Sequence, residues 1–245
     1  KKYFGYDEFR PLQEEIINNV LAGKDGFVLM PTGGGKSLCY QLPALAFKGM
    51  TLVVSPLIAL MKDQVDALQS NGIEAEFINS TLSQSQIEKI YARVNNNEVK
   101  ILYVAPERFV LPGFQDFLKN LKINLIAVDE AHCLSEWGHN FRPDYLKLPK
   151  LVRRLGRPVV LALTATATRS VARDLRRQFR IKAADEIRLP FSRPNLSLSF
   201  SKASPQTRNA MLLDRLVTYG TPAVVYVTRQ ETAESVAAFL SRSGI

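Results

Sequence analysis

Short apolar runs alternate with longer amphipathic stretches along the first 180 residues of the chain. Six runs rich in β-branched residues predict strands at 27–30, 51–55, 75–79, 101–105, 125–129 and 159–164. Five amphipathic stretches predict helices at 11–22, 36–48, 57–71, 83–95 and 168–179. Nearly continuous apolar strands that are separated by helices are typical of a parallel sheet covered on both faces. We therefore predict a doubly wound α/β domain.

The alternation breaks at residues 181–201, which carry Pro190, Pro194 and several serines and predict a crossing or linker. A helix at 207–219, a strand at 223–227 and a helix at 230–241 are predicted after it. The last 55 residues hold one clear strand and are too few to bury a sheet of their own. We expect a first domain at 1–190, then a linker and the start of a second α/β domain at 191–245, within a longer protein.

Composition and charge narrow the class of protein. The chain has 46% hydrophobic and 22% charged residues, and no apolar run approaches the ~18 residues of a membrane span. Two cysteines, Cys39 and Cys133, suggest no disulfide framework and favour an intracellular protein with both thiols buried. Residues 142–180 hold 11 basic and 2 acidic residues, so the net charge of +9 is concentrated there. Such a patch suggests a polyanion partner such as nucleic acid, with a solvated helix face as the alternative.

A glycine-rich turn stands between the first predicted strand and the second predicted helix. It consists of Met30, Pro31, Thr32, Gly33, Gly34, Gly35, Lys36 and Ser37. Consecutive glycines let backbone N–H groups point inward at phosphate oxygens, and the helix start adds its positive dipole end. Lys36 would reach the β/γ-phosphates and the Ser37 hydroxyl would ligate Mg²⁺. We therefore predict a site for ATP and Mg²⁺, although Met30 replaces the first glycine of the generic pattern.

Two adjacent acidic residues follow the fifth predicted strand. Asp129 and Glu130 would lie at the carboxyl edge of the sheet, where α/β folds bind ligands. Asp129 is the candidate for holding Mg²⁺, and Glu130 for orienting and deprotonating the attacking water. Successive side chains on a strand point in opposite directions, so the chain must turn at Glu130 for both to face one site.

The string Asp129-Glu130-Ala131-His132 resembles the DEAH form of the acidic motif in superfamily-two helicases, and its surroundings resemble the RecQ family of DNA helicases. Residues 4–13 resemble the adenine-recognition motif of that family, which implies that Tyr6 stacks on the base, Gln13 bonds its edge and Arg10 helps to hold the nucleotide. Residues 30–41 are similar to its phosphate loop, which also lacks the first glycine. Residues 55–64 and 103–108 resemble its strand-contacting motifs, and 163–168 its coupling motif.

Residues 133–145 resemble the aromatic-rich loop of the same family. The resemblance and the residue types assign binding of unpaired bases to Trp137, His139, Phe141 and Arg142, since flat side chains beside a guanidinium suit stacking. An aromatic core cluster is the alternative for this segment. His132 is expected to link the nucleotide site to the coupling motif at Thr164 and Thr166.

The resemblance implies a RecA-like fold of the P-loop NTPase type, followed at 191–195 and 224–237 by the entry to a second RecA-like lobe. It implies an ATP-dependent DNA helicase that unwinds 3′ to 5′ in repair or recombination, with ATP and Mg²⁺ as cofactors. Its implied partners are single-stranded DNA and 3′-tailed duplex, inside the cell and away from membranes.

The residues after 168 leave two questions open. On a helix at 168–179, Val171, Leu175 and Phe179 share one face, and Arg169, Arg173, Arg176, Arg177 and Arg180 lie opposite. This basic side is predicted to point outward, either solvated or on duplex phosphates. The family's second lobe also supplies an arginine to the γ-phosphate, and no Gly-Arg-x-Gly-Arg string occurs here.

An arginine finger contributes about 10³–10⁵ in rate. We therefore expect this chain to bind ATP, to hydrolyse it slowly and not to unwind DNA. The other functions considered are an RNA-directed helicase, a nucleotide-gated binding module without unwinding, and a small-molecule P-loop kinase. The aromatic segment disfavours the first, and the lack of a metabolite-lid pattern disfavours the last.

Overall fold

The computed structural model describes residues 2–136, 143–190, 195–220 and 222–245. The chain divides into two compact units, Lys1–Phe191 and Ser192–Ile245, and each is described by itself. None of the described helices has the length and apolar character needed to cross a membrane.

The first unit is built on a seven-stranded parallel sheet. Its strands are β1 (Gly26–Leu29), β2 (Met50–Val54), β3 (Ala75–Ile78), β4 (Ile101–Val104), β5 (Ile123–Val128), β6 (Val159–Thr164) and β7 (Glu186–Arg188). They lie in the order β3-β4-β2-β5-β6-β1-β7, and every recorded pair is parallel. The six predicted strands and the α/β class are confirmed.

The helices of the first unit cover both faces of the sheet. They are α1 (Gln13–Leu21), α2 (Leu38–Ala46), α3 (Ile58–Ser70), α4 (Gln84–Asn95), α5 (Pro112–Lys119), α6 (Leu148–Arg154) and α7 (Arg169–Phe179). Buried side chains of α1, α2 and α3 form one apolar cluster, and those of α4 to α7 form another. Along β1, Phe27 and Leu29 join the second cluster while Val28 and Met30 join the first, as the two-residue period of a strand requires.

Three elements of this unit differ from the sequence prediction. Helices α5 and α6 were not predicted, and both are short and begin with proline in their first turn. Strand β7 lies within the segment predicted as a linker from residue 181, so that part of the prediction is wrong. Strand β7 is only three residues long and is stabilised by its pairing with β1. The local hydrophobic pattern of the sequence does not predict this tertiary contact.

Helix α7 has the predicted apolar face but not the whole predicted basic face. Thr168 caps its amino end by accepting a hydrogen bond from the Val171 N–H, and Val171, Leu175 and Phe179 are buried. Arg176 was predicted to point outward and instead is partly buried. Its Nε lies 2.7 Å from Glu186 Oε2 on β7, and this ion pair explains the difference.

The second unit contains the helices α8 (Arg208–Tyr219) and α9 (Gln230–Arg242). The strand predicted at 223–227 is not formed in the described part of the unit, and Val224 and Tyr226 are exposed. A strand requires a neighbour for its backbone hydrogen bonds, and none of the described residues of this unit supplies one.

Candidate functional site

The carboxyl ends of three neighbouring strands meet at one edge of the sheet. Strands β5, β6 and β1 lie side by side, so Asp129, Thr164 and the phosphate loop at 30–37 follow adjacent strands. The Met30 N–H donates to the Thr164 carbonyl at 3.1 Å, which extends the β1–β6 pairing into the loop. The topology therefore brings the separate predicted motifs to one place, as expected for a parallel α/β sheet.

The glycines of the phosphate loop are required by its backbone shape. Gly33 and Gly35 have φ values of +80° and +84°, a region that residues with a Cβ rarely adopt. Gly34 has too little space, because an added Cβ would lie 2.5 Å from Met30 Cγ. Lys36 Nζ donates to the Met30 carbonyl at 3.2 Å and must leave this acceptor to reach a phosphate.

Two residues of the amino-terminal motif hold the phosphate loop. Gln13 Nε2 donates to the Gly35 carbonyl at 3.0 Å, and Gln13 Oε1 accepts from the Arg10 N–H at 2.8 Å. The Arg10 guanidinium donates to the Gly33 carbonyl. The Gln13 side chain is buried and engaged at both ends of its amide, and the second N–H and the second lone pair of that amide are left to bond an adenine edge.

A cavity of about 280 Å³ opens beside this motif. The amino-terminal motif lines one side with Phe4, Tyr6, Arg10 and Gln13, and the segment after the glycines lines another with Gly35, Ser37 and Gln41. The far side is formed by Gln64, Ala67 and Leu68 of α3 and by Asn71 just after it. Tyr6 is largely exposed at its rim. The cavity has apolar and polar lining in similar shares, which suits a flat base with hydrogen-bonding edges, and it adjoins the phosphate loop directly.

The acidic pair has the turn that the sequence predicts. Strand β5 ends at Val128, and Glu130 has a left-handed backbone with φ 47° and ψ 44°. The Asp129 N–H donates to the Val54 carbonyl at 2.8 Å, and Asp129 Oδ1 accepts from the Glu130 N–H at 3.0 Å. Because the backbone of Glu130 is not extended, its side chain does not have to point away from that of Asp129, as it would in a regular strand.

Burial and charge shift the pKa values of this pair in opposite directions. Burial raises the pKa of Asp129 to about 6, and the Glu130 carboxylate adds to the rise, while the Glu130 N–H and the Lys36 ammonium oppose it. The hydrogen bond with His132 lowers the pKa of Glu130. A buried carboxyl beside a second carboxylate is a site that a divalent cation would neutralise, so the residues fit Mg²⁺. With no group of three or more clustered His, Cys, Asp or Glu among the described residues, phosphate oxygens and water would supply most of its ligands.

His132 lies between the acidic pair and the coupling motif. Its Nδ1 is 2.8 Å from Thr164 Oγ1 and 3.2 Å from Glu130 Oε2. The Thr164 hydroxyl donates to the Thr166 carbonyl at 3.1 Å and accepts from the Thr166 N–H at 3.2 Å. Because the Thr164 hydroxyl hydrogen is used in the bond to Thr166, the hydrogen between Thr164 Oγ1 and His132 must be carried by Nδ1 of His132. Hydrogen bonds to Cys133 Sγ and to Glu130 raise the pKa of His132 to about 9.

A buried chain of polar side chains under the phosphate loop was not predicted from the sequence. Tyr40 and Tyr103 place their hydroxyl oxygens 3.4 Å apart, and Gln41 Nε2 donates to Tyr103 Oη and to Gln64 Oε1, each at 3.0 Å. Burial raises the pKa of Tyr103 to about 12. The chain joins α2, which follows the phosphate loop, to α3 and β4, which carry the two strand-contacting motifs. The two tyrosines and two glutamines have no regular spacing in the sequence, so their contact could not be predicted from it.

The predicted base-stacking residues, Trp137, His139, Phe141 and Arg142, lie outside the described residues. The chain just before them is anchored to α7. Ser135 Oγ donates to Asp174 Oδ2 at 2.9 Å, and Gln178 Nε2 donates to the same oxygen at 3.0 Å. Cys39 and Cys133, predicted as buried thiols, are both free and buried.

The sequence profile of the DEAD/DEAH box helicases matches residues 10–175, about two thirds of this chain. The chain therefore belongs to the DEAD/DEAH box helicase family. Similar curated proteins are an ATP-dependent DNA helicase RecQ of Haemophilus influenzae, 42% identical over 100% of this chain, and one of Bacillus subtilis, 41% identical over 99%. An ATP-dependent DNA helicase Q1 of Pongo abelii is 38% identical over 99%. Within its family the chain is a RecQ-type helicase sequence.

The chain spans about two fifths of the length of these relatives, namely 39%, 41% and 39%. Among solved structures, the DUF1998 helicase MrfA aligns over 97% of this chain and 39% of its own, with a TM-score of 0.69 and 20% identity. The Pyrococcus furiosus Hef helicase domain aligns over 85% of this chain and 46% of its own, with a TM-score of 0.60 and 19% identity. These similarities confirm the RecA-like fold.

Proposed function

We propose that this chain is the ATP-binding part of a RecQ-type DNA helicase that couples ATP hydrolysis to movement along single-stranded DNA. The observation that carries the proposal is that Asp129 and Glu130 lie at the same edge of the sheet as the phosphate loop, at the ends of β5 and β1 with only β6 between them. Lys36 lies close enough to lower the pKa of both carboxyls, which supports one charged site rather than two.

Each residue of this site has a chemical role in the proposed reaction. The phosphate loop from Met30 to Ser37 binds the phosphates through its N–H groups, with Lys36 on the β/γ-phosphates. Ser37 and Asp129 would hold Mg²⁺, which neutralises phosphate charge when bound. Glu130 orients and deprotonates the attacking water, since its lowered pKa keeps it ionised as a base near neutral pH.

Tyr6, Arg10 and Gln13 would form the adenine side of the site. The cavity between them and α3 supports this assignment, because it opens directly from Gly35 and Ser37. Trp137, His139, Phe141 and Arg142 are proposed to bind single-stranded DNA, and His132, Thr164 and Thr166 to couple that binding to hydrolysis. The bonds from His132 to Glu130 and Thr164 support the coupling role.

The complete reaction is proposed to be 3′ to 5′ unwinding in DNA repair or recombination, on single-stranded DNA and 3′-tailed duplex inside the cell. By itself the chain is proposed to bind ATP with little turnover, because the arginine finger of this reaction would come from a motif that this sequence does not contain.

Equilibrium binding of a fluorescent ATP analogue with Mg²⁺ tests the site. Lys36→Ala is expected to lose binding, Glu130→Gln to retain it, and the exposed control Lys89→Ala to match the wild type. Binding that survives Lys36→Ala unchanged would overturn the assignment. DNA-stimulated turnover by this chain at the rate of an intact helicase would contradict its proposed low activity.

The nucleic-acid substrate and the direction of unwinding are tested on the longer protein that contains this chain. Single-stranded DNA is expected to stimulate hydrolysis more than RNA, and a 3′-tailed duplex to be separated while a 5′-tailed duplex is not. Preferential stimulation by RNA would favour an RNA-directed helicase, and strand binding without separation would favour a nucleotide-gated binding module.

A further inference from the structure

A stripe of exposed arginines runs along α7. Arg169, Arg173 and Arg177 recur every four residues, and consecutive members are about 6 Å apart along the helix axis. Arg180 follows at the carboxyl end, where its φ of +60° ends the helix. The apolar side of α7 is buried in the core, so the arginines form its outer side.

The basic end of α6 meets the carboxyl end of α7. A cavity of about 290 Å³ is lined by Arg153 and Arg157 from α6 and the turn after it, and by Arg180 from α7. The cavity therefore joins the arginines at the end of α6 to Arg180 at the end of α7. We call this set the basic surface: Arg153, Arg154, Arg157, Arg169, Arg173, Arg177 and Arg180.

Most of the positive charge of the basic surface has no acidic neighbour among the described residues. Among the described residues, only Arg177 of this set has a recorded ion pair, a 3.4 Å contact with Asp174. Asp174 itself is engaged with Ser135 and Gln178, and Asp25 in the cavity accepts from the Val160 N–H at 2.8 Å. Asp25 also interacts electrostatically with Arg157, so two of the seven arginines have a nearby carboxylate and none is recorded for the other five among the described residues.

Helix stability does not explain the arrangement. Arginines near a helix carboxyl end stabilise the helix dipole, which accounts for Arg153, Arg154 and Arg180. Arg169 is the first residue of α7, where a cation is unfavourable, and Arg173, in the second turn, gains little from the dipole of either end. Neither charge stabilises the helix, which is consistent with an external anion as their partner.

We propose that the basic surface binds the phosphate backbone of duplex DNA. Twelve ångströms of duplex carry about seven phosphate charges, at one charge per ~1.7 Å of helix axis, so a duplex offers a phosphate to each of the three arginines that α7 presents over the same length. Single strands fit less well, because binding of single strands uses aromatic platforms and residues 143–180, all of them described, expose no aromatic side chain. A membrane fits less well, because the apolar face of α7 is buried.

The basic surface lies on the helix that anchors the candidate single-strand segment. Asp174 and Gln178 of α7 bind Ser135 and Leu134, which precede the first predicted stacking residue, Trp137, by two and three positions in the chain. A duplex on α7 would therefore be bound next to the point where the chain enters the candidate single-strand segment. The partner follows from the proposed helicase function, but the surface itself does not depend on the ATP site.

Fluorescence anisotropy with a labelled 20-bp DNA duplex and a labelled 20-nucleotide oligo-dT tests this surface. The test variant carries Arg153→Gln, Arg169→Gln and Arg173→Gln. The matched control carries Lys48→Gln, Lys89→Gln and Lys119→Gln, which remove the same charge from exposed positions elsewhere in the first unit. Thermal unfolding of both variants checks that the fold is retained.

The test variant is expected to bind the duplex at least about tenfold more weakly than the wild type at moderate salt, with little change for oligo-dT. The slope of log affinity against log salt should fall by about 0.9 for each lost contact, hence by up to about 2.7. The control should keep both the affinity and the slope.

Equal duplex binding by the test variant and the wild type would overturn the proposal, as would equal losses in the test and control variants. A loss for oligo-dT as large as that for the duplex would assign the surface to single strands instead. Tighter binding of an RNA duplex than of the DNA duplex would overturn the choice of DNA. Lys36→Ala, which should abolish ATP binding but not duplex binding, separates failure of this surface from failure of the ATP site.

Discussion

The Nδ1 atom of His132 lies 2.8 Å from the hydroxyl oxygen of Thr164. This contact joins the segment after β5 to the end of β6, and the same Nδ1 lies 3.2 Å from the Glu130 carboxylate. The His132 imidazole thus connects the proposed catalytic base, Glu130, to Thr164 of the coupling motif. A shift of Thr164 would change the hydrogen bonding of His132 and, through it, the orientation of Glu130.

Thr164→Val should separate the two segments while preserving side-chain shape. The buried imidazole would lose an acceptor, at a cost of about 1–3 kcal/mol in the free energy of unfolding. In the longer protein we expect ATP affinity to be retained and DNA-stimulated hydrolysis to fall by about tenfold or more, equivalent to ~1.4 kcal/mol of activation free energy. Thr164→Ser keeps the hydroxyl and should behave nearly as the wild type. Stimulation that is unchanged in Thr164→Val would show that coupling takes another route.

Two glycines of the phosphate loop offer a matched comparison. Gly33 and Gly35 both have positive φ, but an added Cβ at Gly33 meets nothing within 4 Å, whereas at Gly35 it would lie 2.3 Å from Gln13 Nε2. Gly33→Ala should cost only backbone strain, about 1–2 kcal/mol. Gly35→Ala should in addition expel Gln13 and break its bond to the loop.

Titration with a fluorescent ATP analogue should therefore show a weaker affinity for Gly35→Ala than for Gly33→Ala, by about tenfold or more. The double variant Gly35→Ala with Gln13→Ala removes the clash and should recover part of the difference. Equal affinities of the two single variants would mean that Gln13 does not support the loop.

The sequence predicted the parts of the fold and site that depend on local pattern. Apolar runs gave the six main strands, and the spacing from strand to glycines to helix gave the phosphate loop. The turn at Glu130 was predicted because two adjacent acidic residues cannot face one site from a regular strand.

The features that the sequence missed depend on tertiary contacts. Strand β7 exists because Glu186–Arg188 pairs with β1, and Arg176 turns inward because Glu186 is there. Gln13 also donates a hydrogen bond to the carbonyl of Gly35, 22 residues away in the chain. The pattern of apolar and polar residues does not predict such a contact. The strand predicted at 223–227 fails for the converse reason, since its apolar pattern finds no partner strand among the described residues.

Tyr103→Phe tests the buried polar chain under the phosphate loop. The substitution keeps the ring but leaves Tyr40 without its neighbouring hydroxyl and removes one acceptor of Gln41 Nε2. We expect a loss of about 1 kcal/mol in the free energy of unfolding, measured with urea. Tyr91→Phe is the control, because the ring of Tyr91 stacks on Phe117 at 4.0 Å and no hydrogen bond is recorded for its hydroxyl within the described residues. Equal losses in both variants would show that the chain contributes no specific stability.

The raised pKa of His132 predicts how stability depends on pH. The folded protein holds the imidazolium more tightly than the unfolded chain, because the pKa of about 9 exceeds the ordinary value of 6.5. This contribution to the free energy of unfolding is complete below pH 6.5 and is lost as the pH rises to about 9, by at most about 3 kcal/mol. Asp129 also has a raised pKa, but its contribution is lost over a lower window, as the pH rises from 3.8 to about 6.

The two windows do not overlap, so each group can be tested separately by urea unfolding between pH 4 and pH 9. His132→Gln has no titrating imidazole and should flatten the dependence above pH 6.5, and it should also raise the pKa of Asp129 further and so move the lower window upward, because His132 lowers that pKa. Asp129→Asn should flatten the lower window and keep the loss of stability above pH 6.5, because an amide cannot take up the proton that burial favours on the carboxyl. If His132→Gln loses stability between pH 6.5 and 9 as steeply as the wild type, the imidazolium does not stabilise the junction of Glu130 and Thr164.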